Sequence, residues 1–506
     1  MQQSITDIKQ DIAELSEFTN YLKSELKNWK RQLNKTKYLS KEIKGLASRQ
    51  YKSVSGEIQS ISEEIALFKI KLKSAKSNDK ALEELIAKKK NIFMKVRACL
   101  SLFASISTFL NWQSPSIKSS QNTRIGIEKY PIICDYNDYK RDRSGDTFYC
   151  EKKLEKNLLK TKNTGVKPIL NLCNCGMAAF TSILYFLICE NIVKNKALAS
   201  SDIYVENILL LKNFFKSKLI TFNCNNADLI VDKILSTEPN AVFLDTISNT
   251  VNMPLFDVAS IIKKTAKIYK KEIYFIIDAT CSVGYENILD NFVIPDNIKV
   301  IIHGSILKAP QLGMERIYAG FVLSFGLDKF VNKILEYRTL SGSSLQDIGG
   351  YLLPVTTRKL LQNRLKTIER NTADMASFLS EIDGKKEVLA EIIYPGIKSH
   401  KDFSMVKKIG FAGPFFNIKF ISRLNNDKYF ELFTSDIIKY AKKYNCDIVH
   451  GASYGFNTTS IYYSVGWDTP EKHYLRLSLG TETVYEMEKI KKVFKEVFQK
   501  FKRHAL

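Results

Sequence analysis

No proline precedes Pro115, and the 506-residue chain has only 11 in all. Its N-terminal region therefore lacks the residue that most effectively interrupts a helix. Histidine is scarcer still. His303, His400, His450, His473 and His504 are the full set, and none falls at a metal-ligand spacing, so no metal site is expected. The nine cysteines include no C-x-x-C element: Cys173 and Cys175 are one residue apart, and Cys99, Cys134, Cys150, Cys189, Cys224, Cys281 and Cys446 are scattered. That pattern speaks against structural zinc, a thioredoxin-like motif and a disulfide framework. Long apolar runs are missing as well. The most apolar stretch, Val96 to Trp112, carries Arg97, several serines and Asn111, too short and polar for a membrane span. Met1 to Gln10 is polar and does not read as a signal peptide, so the expected compartment is the cytoplasm. Acidic residues number 53 against 76 lysines and arginines, a formal charge of +23. The cations are spread along the chain without an aromatic stacking platform, so designed nucleic-acid binding is not expected. An anionic small partner, such as a phosphorylated cofactor, fits that charge.

What the chain does have divides into regions. Ile5, Ile8, Ile12, Leu15, Thr19, Leu22, Leu26, Trp29 and Leu33 alternate three and four apart, a heptad seam flanked by lysine and glutamate. Ser53 to Gly56 reads as a break, after which Ile58, Ile61, Ile65, Phe68 and Leu72 resume the pattern. Residues 1–112 are thus expected to form a helical, coiled-coil extension that self-associates, folds against the rest, or binds a protein partner. Residues 113–130, polar with prolines and serines, read as a linker. Short β-branched runs at Asn240–Asp245, Ile273–Asp278 and Ile298–His303 then look like buried parallel strands separated by helices. The simplest parse is a large α/β domain over 131–344 and a smaller α+β domain over 345–506.

Two of those strands end in ionisable groups. Asp278 closes Ile273-Tyr-Phe-Ile-Ile-Asp278, and Lys308 follows Val300-Ile-Ile-His-Gly-Ser-Ile-Leu, at the carboxyl ends of the strands, where open α/β folds bind ligands. An acid for a protonated pyridine nitrogen and a lysine for an aldehyde carbon are what pyridoxal 5'-phosphate (PLP) needs. Alone, the two residues would equally suit an ion pair between neighbouring strands. Asn171-Leu-Cys-Asn-Cys-Gly-Met-Ala-Ala-Phe-Thr-Ser182 adds a loop entering an apolar helix, where free amides and Gly176 suit a phosphate. Tyr204 follows a polar turn and reads as either a ring over a flat cofactor or an ordinary core tyrosine. Arg476, within Leu475-Arg-Leu-Ser-Leu-Gly480, wants a carboxylate.

In this order the segments resemble the Cys/Met-metabolism family of PLP enzymes, which includes cystathionine γ-synthases, cystathionine lyases and methionine γ-lyase. The resemblance covers about residues 130–500. It implies fold type I, with a large mostly parallel sheet domain and a smaller C-terminal domain. Cys175-Gly-Met-Ala-Ala resembles the phosphate turn, implying contacts from Gly176 and Met177. Tyr204 matches the stacking tyrosine. Asn249, in Asp245-Thr-Ile-Ser-Asn249, matches the residue beside the phenolic oxygen. Asp278-Ala-Thr280 matches Asp-Asn-Thr, giving Asp278 the pyridine nitrogen and placing Thr280 at the cofactor. Ser305-Ile-Leu-Lys308 matches Ser-x-Thr-Lys, giving Lys308 the Schiff base and Ser305 a phosphate contact. Tyr394-Pro-Gly and Gly410-Phe-Ala-Gly413 follow in the family's order. Ala452-Ser-Tyr-Gly-Phe-Asn457 resembles the substrate loop, with Ser453 toward substrate, and Arg476 matches the α-carboxylate clamp. The Tyr-x-Arg element that reaches a neighbour's phosphate has two registers, Tyr139-Lys-Arg141, which is favoured, and one through Arg143. It implies a homodimer at least, with a homotetramer suggested.

Departures from the pattern are Leu307 for the threonine before the lysine, Asp245 for glutamate, Ile247 for proline, and Ala309-Pro-Gln-Leu-Gly-Met-Glu for the usual glycines. The resemblance implies action on an amino acid, and the Gly-x-Asn ending of the Ser453 loop favours γ-replacement on an activated homoserine. Arg476 would fix the carboxylate, and Lys308 would act as base, with Lys308 and Tyr204 as candidates for moving the proton onward. A C–S lyase of the cystathionine or methionine γ-lyase type is the alternative. A catalytically lapsed scaffold is another, motivated by Leu307, the altered loop and the N-terminal extension.

Overall fold

A computed structural model of the chain describes residues 2–35, 40–74, 78–109, 145–157, 163–284, 289–326, 328–354, 357–384, 386–464 and 473–505. The expected linker, Tyr139, Arg141 and Arg143 lie outside the described residues.

The heptad seam builds three long helices: α1 (Gln2–Lys35), α2 (Lys41–Lys73) and α3 (Asp79–Ser107). Each of the nine seam residues of α1 is buried, as are Ile58, Ile61, Ile65, Phe68 and Leu72 of α2. Ser40 and Asn78 cap α2 and α3 by accepting from the N–H of Ile43 and Ala81. The expected break at Ser53–Gly56 is a correction: the segment lies inside α2. Val54 is buried and continues the seam to Ile58, while a Cβ at Gly56 would meet only open space. A solvent-facing glycine costs a helix only about 1 kcal/mol, too little to stop it. The seam is covered within the chain itself, because the three helices pack on one another and their apolar cluster takes in Met314 and Tyr351 from later in the sequence.

Next comes α4 (Gly145–Asn157), and then an alternating βα stretch. It runs β1 (Ile169–Cys173), α5 (Gly176–Cys189), β2 (Ala197–Ser200), α6 (Val205–Phe215), β3 (Leu219–Phe222), α7 (Ala227–Thr237) and β4 (Ala241–Asp245). It continues with α8 (Val258–Ile268), β5 (Ile273–Asp278), β6 (Ile298–Ser305), β7 (Gly320–Phe325) and α9 (Asp328–Leu340). The seven strands form one sheet in the order β1-β7-β6-β5-β4-β2-β3. The three expected strands are its centre and are parallel. Strand β7 is antiparallel to both of its neighbours. Buried on both faces, these strands are near-continuous apolar runs, as parallel sheets require.

Helices α10 (Asp347–Leu352) and α11 (Arg358–Ile382) lead to β8 (Leu389–Ile393), α12 (Phe403–Ile409), β9 (Phe415–Phe420), α13 (Asp427–Lys443), β10 (Ile448–His450), β11 (Thr459–Ser464), β12 (Tyr474–Ser478) and α14 (Val484–Ala505). The last five strands make a second sheet, β10-β11-β12-β9-β8, parallel only between β10 and β11. The whole is an α/β architecture with a helical N-terminal region. Among the described residues no helix is long and apolar enough to cross a membrane.

Candidate active site

The register of the central sheet lines up Asp245 of β4, Asp278 of β5 and His303 of β6. Partners in register share a face, so three ionisable side chains stand in a row at the carboxyl ends of parallel strands. Asp278 accepts from the N–H of Thr280 at 2.8 Å and from Asn207 Nδ2 at 3.4 Å. Asp245 is buried, and burial followed by the nearby Asp278 charge raises its pKa well above the carboxylate range. It accepts from the N–H of Tyr204 at 3.1 Å. His303 is buried beside the ring of Phe180, and burial lowers its pKa. Its Nδ1 has no partner.

Beyond β6 the chain turns toward Lys308. No ion pair joins Lys308 to Asp278 among the described residues. Instead Nζ donates to Ser453 Oγ at 2.5 Å and lies 4.9 Å from the centre of the Tyr454 ring. Burial first, and then the Arg476 cation, lower the Lys308 pKa to about 8. Tyr454 is itself held by a 3.0 Å contact between its hydroxyl and Cys281 Sγ. Arg476 is buried on β12 with its guanidinium 5.1 Å from the Phe415 ring. Nη1 donates to Asn249 Oδ1 at 2.6 Å and Nη2 to the carbonyl of Ala452. Its Nε is buried without a partner.

The start of α5 completes the arrangement. Cys175 caps this helix, its Sγ accepting from Ala178 N–H at 3.3 Å and its carbonyl from Ala179 N–H at 3.0 Å. Gly176 and Met177 thus head the helix, where orphan amides and the helix dipole favour an anion. A Cβ on Gly176 would come within 3.0 Å of Ser305 Cβ, and one on Gly320 would be driven into the Cys175 carbonyl at 2.2 Å. Glycine at 320 is required for α5 to sit this close to β7, and glycine at 176 lets it approach β6 without displacing Ser305. Ser305 N–H donates to Thr280 Oγ1 at 3.0 Å, tying the ends of β5 and β6 together.

The sequence-derived residues are therefore brought together in two linked groups. Lys308, Ser453, Arg476 and Asn249 form one, and Asp278, Thr280, Ser305, Gly176 and Tyr204 the other. Sequence reasoning missed Asn207, one helical turn after Tyr204, and the supporting pair Tyr454 and Cys281. It also missed His303 as the neighbour of Asp278. The spacing of Asn207 from Tyr204 was a usable signal; the others depend on register and on chain crossings.

A profile of the family described as Cys/Met metabolism PLP-dependent enzyme matches residues 135–424. Bifunctional enzyme flvA of Aspergillus flavus is 24% identical over 416 residues, covering 81% of this chain and 48% of that protein. The chain thus spans about half the length of the curated relative it matches. The cystathionine gamma synthase of Xanthomonas oryzae pv. oryzae, solved with aminoacrylate and cysteine, superposes with a TM-score of 0.56 at 16% identity, over 73% of this chain and 89% of that one. The cystathionine gamma-lyase of Lactobacillus plantarum, solved with L-serine, gives 0.57 at 17%, over 75% and 96%. At such identities the two structures establish the fold, that of type I PLP enzymes. The family profile does more, running through every strand of the seven-stranded sheet and over more than half of the sequence; the chain belongs to the Cys/Met metabolism family of PLP-dependent enzymes.

Proposed function

We propose that the chain catalyses γ-replacement on an activated homoserine, with PLP bound where the carboxyl ends of β5 and β6 meet the head of α5. The residues fit the cofactor: the glycine-built approach of α5 to Ser305 suits a phosphate, and the half-buried Asp278 suits a protonated ring nitrogen. In this reading Gly176, Met177 and Ser305 hold the phosphate, with Thr280 bracing Ser305. Tyr204 would stack on the ring, Asn249 would lie by its phenolic oxygen, and Lys308 would hold the aldehyde carbon. When bound, PLP supplies an electron sink for negative charge on the substrate carbons.

The observation that carries the reading is the setting of Lys308. Whenever Lys308 stands as a free amine, a pKa near 8 leaves part of it neutral at physiological pH and able to accept a proton at Nζ. Ser453, its hydrogen-bond partner, keeps it aimed while it waits. Arg476, with a buried and unpartnered Nε, offers its planar fork to the α-carboxylate. Tyr204 is the poorer base, since burial, then Glu206, raises its hydroxyl to about 12. Lys308 is therefore assigned the proton transfers at both carbons, and Tyr204 the orientation of the ring. The Gly-x-Asn ending of the Ser453 loop supports synthase over lyase, and Tyr139 and Arg141 of a second subunit would complete the phosphate site of a homo-oligomer.

The test is an absorbance spectrum of the PLP-loaded protein beside Lys308→Ala, before and after adding O-acylated homoserines with and without cysteine. A visible band in the wild type alone, shifted by substrate, with a thioether product only when thiol is present, is the expected result. Release of a 2-oxo acid and ammonia without thiol would replace synthase by lyase. Absence of any band or PLP uptake would leave a scaffold.

A further inference from the structure

Both loops that flank Lys308 are tied to the N-terminal helices. Arg364 of α11 is only 2% exposed, and its guanidinium works in two directions. Nη1 donates to Glu14 Oε1 of α1 at 3.2 Å. Nη2 donates to Asn457 Oδ1 at 2.5 Å, and Nε and Nη2 reach the carbonyl of Gly455 at 3.3 and 3.2 Å. Asn457 and Gly455 belong to the short loop that presents Ser453 and Tyr454 to Lys308. Gly455 has φ +85°, and a Cβ there would lie 2.4 Å from the Ala309 nitrogen, so this loop presses directly on the residue after Lys308. The segment from Ala309 is anchored on the same helices. Arg97 of α3 donates to the Met314 carbonyl at 2.7 Å, the Met314 side chain is buried in the apolar cluster of the bundle, and Arg316 donates to Ser101.

We propose that the N-terminal helical bundle is a working part of the active site, with Glu14 as a positioning residue that acts through Arg364 to hold the Ser453–Asn457 loop against Lys308. The proposal rests on the reading of Lys308 as the reactive amine. Without Glu14, whose pKa burial raises to about 7, Arg364 loses its hydrogen-bond partner on α1 and keeps only the neighbouring Asp11 as a carboxylate there. It then turns toward water or draws on the loop carbonyls differently, and Ser453 and Tyr454 lose their fixed approach to Nζ.

The experiment follows the reactivity of Lys308 itself. Cofactor-free protein is acylated competitively across a pH series, and the Lys308 peptide is quantified by mass spectrometry in wild type, Glu14→Ala, Glu14→Gln and Glu25→Gln. Glu25 is a control, because it joins the bundle to α4 through Tyr149 and Lys153, away from the loop. The expected result is a Lys308 midpoint that rises in Glu14→Ala toward the ordinary lysine value of 10.5, because a loosened loop admits water to Nζ and relieves the burial that lowers it, which outweighs the lost Ser453 and Tyr454 contacts. Glu14→Gln, which still offers Arg364 an oxygen, should recover part of the shift, and Glu25→Gln should match wild type. Should Glu14→Ala fail to fold, Asn457→Ala cuts the same strap from the loop side and should give the same displacement. An unmoved midpoint in folded Glu14→Ala or Asn457→Ala, or an equal shift in Glu25→Gln, overturns the proposal. A moved midpoint in a protein that turns over no homoserine ester would instead count against the assigned reaction alone.

Discussion

Lys308 is where function works against stability. Its pKa is about 8 in the folded chain against 10.5 for an ordinary lysine. Below pH 8 the amine is charged in both the folded and unfolded states, and the fold bears the full cost of burying that charge. Between 8 and 10.5 the unfolded state holds a proton the folded state has shed, so this group's contribution to stability rises with pH. Above that range the cost is gone. Lys308→Met removes it at every pH. The cofactor-free variant is therefore expected to melt above the wild type at pH 7, by ~2–5 °C for a burial cost of roughly 3 kcal/mol. The difference should shrink steadily as the pH is raised to 10.5. Thermal scans at several pH values check this, and a gap independent of pH would mean that packing, not charge, is what the substitution relieves. Arg476 makes a different prediction at the same scale. Arg476→Lys keeps the charge but loses the planar fork and its place over the Phe415 ring. On whichever amino acid turns over, KM should rise by roughly 10²-fold with a smaller change in kcat. An unchanged KM would remove Arg476 from the substrate carboxylate.

At the scale of elements, the critical contact is the head of α5 against β6 and β7. A methyl group on Gly176 needs Ser305 to give way by a few tenths of an ångström, whereas one on Gly320 meets the Cys175 backbone head on. Gly176→Ala should therefore fold normally and bind PLP about tenfold more weakly, measured by fluorescence titration. Gly320→Ala should lose folded protein outright, seen in yield and circular dichroism. Equal behaviour of the two would show that the glycines serve general packing and not the anion site. Much of this level was legible in the sequence. The seam from Ile5 to Leu33 has a period that only a helix satisfies, and the runs ending at Asp245, Asp278 and His303 are short, apolar and bounded by turn residues, as buried strands are. The glycine before Met177 and the lysine after Leu307 were visible for the same local reason. What was hidden depends on neighbours far along the chain. His303 meets Asp278 only through sheet register, and β7 reveals its antiparallel direction only once paired. Arg364, six residues into an ordinary-looking helix, carries no local sign that its guanidinium joins α1 to the substrate loop. The break expected at Ser53–Gly56 fails for a local reason: Val54 carries the seam through it, and an exposed glycine costs a helix too little to stop it.

For the molecule as a whole, the question is whether the N-terminal helices are an appendage or part of one folded unit. Their contacts answer on several fronts at once. Met314 and Tyr351 complete their apolar cluster, with the Tyr351 ring 6.1 Å from that of Phe103. Asp7 takes the Arg370 guanidinium and the N–H of Val484 at the start of α14. Lys89 sits among Asp11 and Glu486, joining α3, α1 and α14. A chain lacking residues 1–109 would expose that apolar surface to water and would lose the ties of Glu14 to Arg364 and of Asp7 to Arg370. The truncated protein is therefore expected to be aggregated or to bind a hydrophobic dye strongly, and to melt well below the full chain. Supplying residues 1–109 as a separate polypeptide during refolding should restore part of the soluble yield, because the complementary surface is large and apolar. A truncated protein that is monodisperse, takes up PLP and melts like the full chain would show that the α/β part stands alone. The contacts of Glu14, Asp7 and Lys89 would then be decoration on a fold that does not need them.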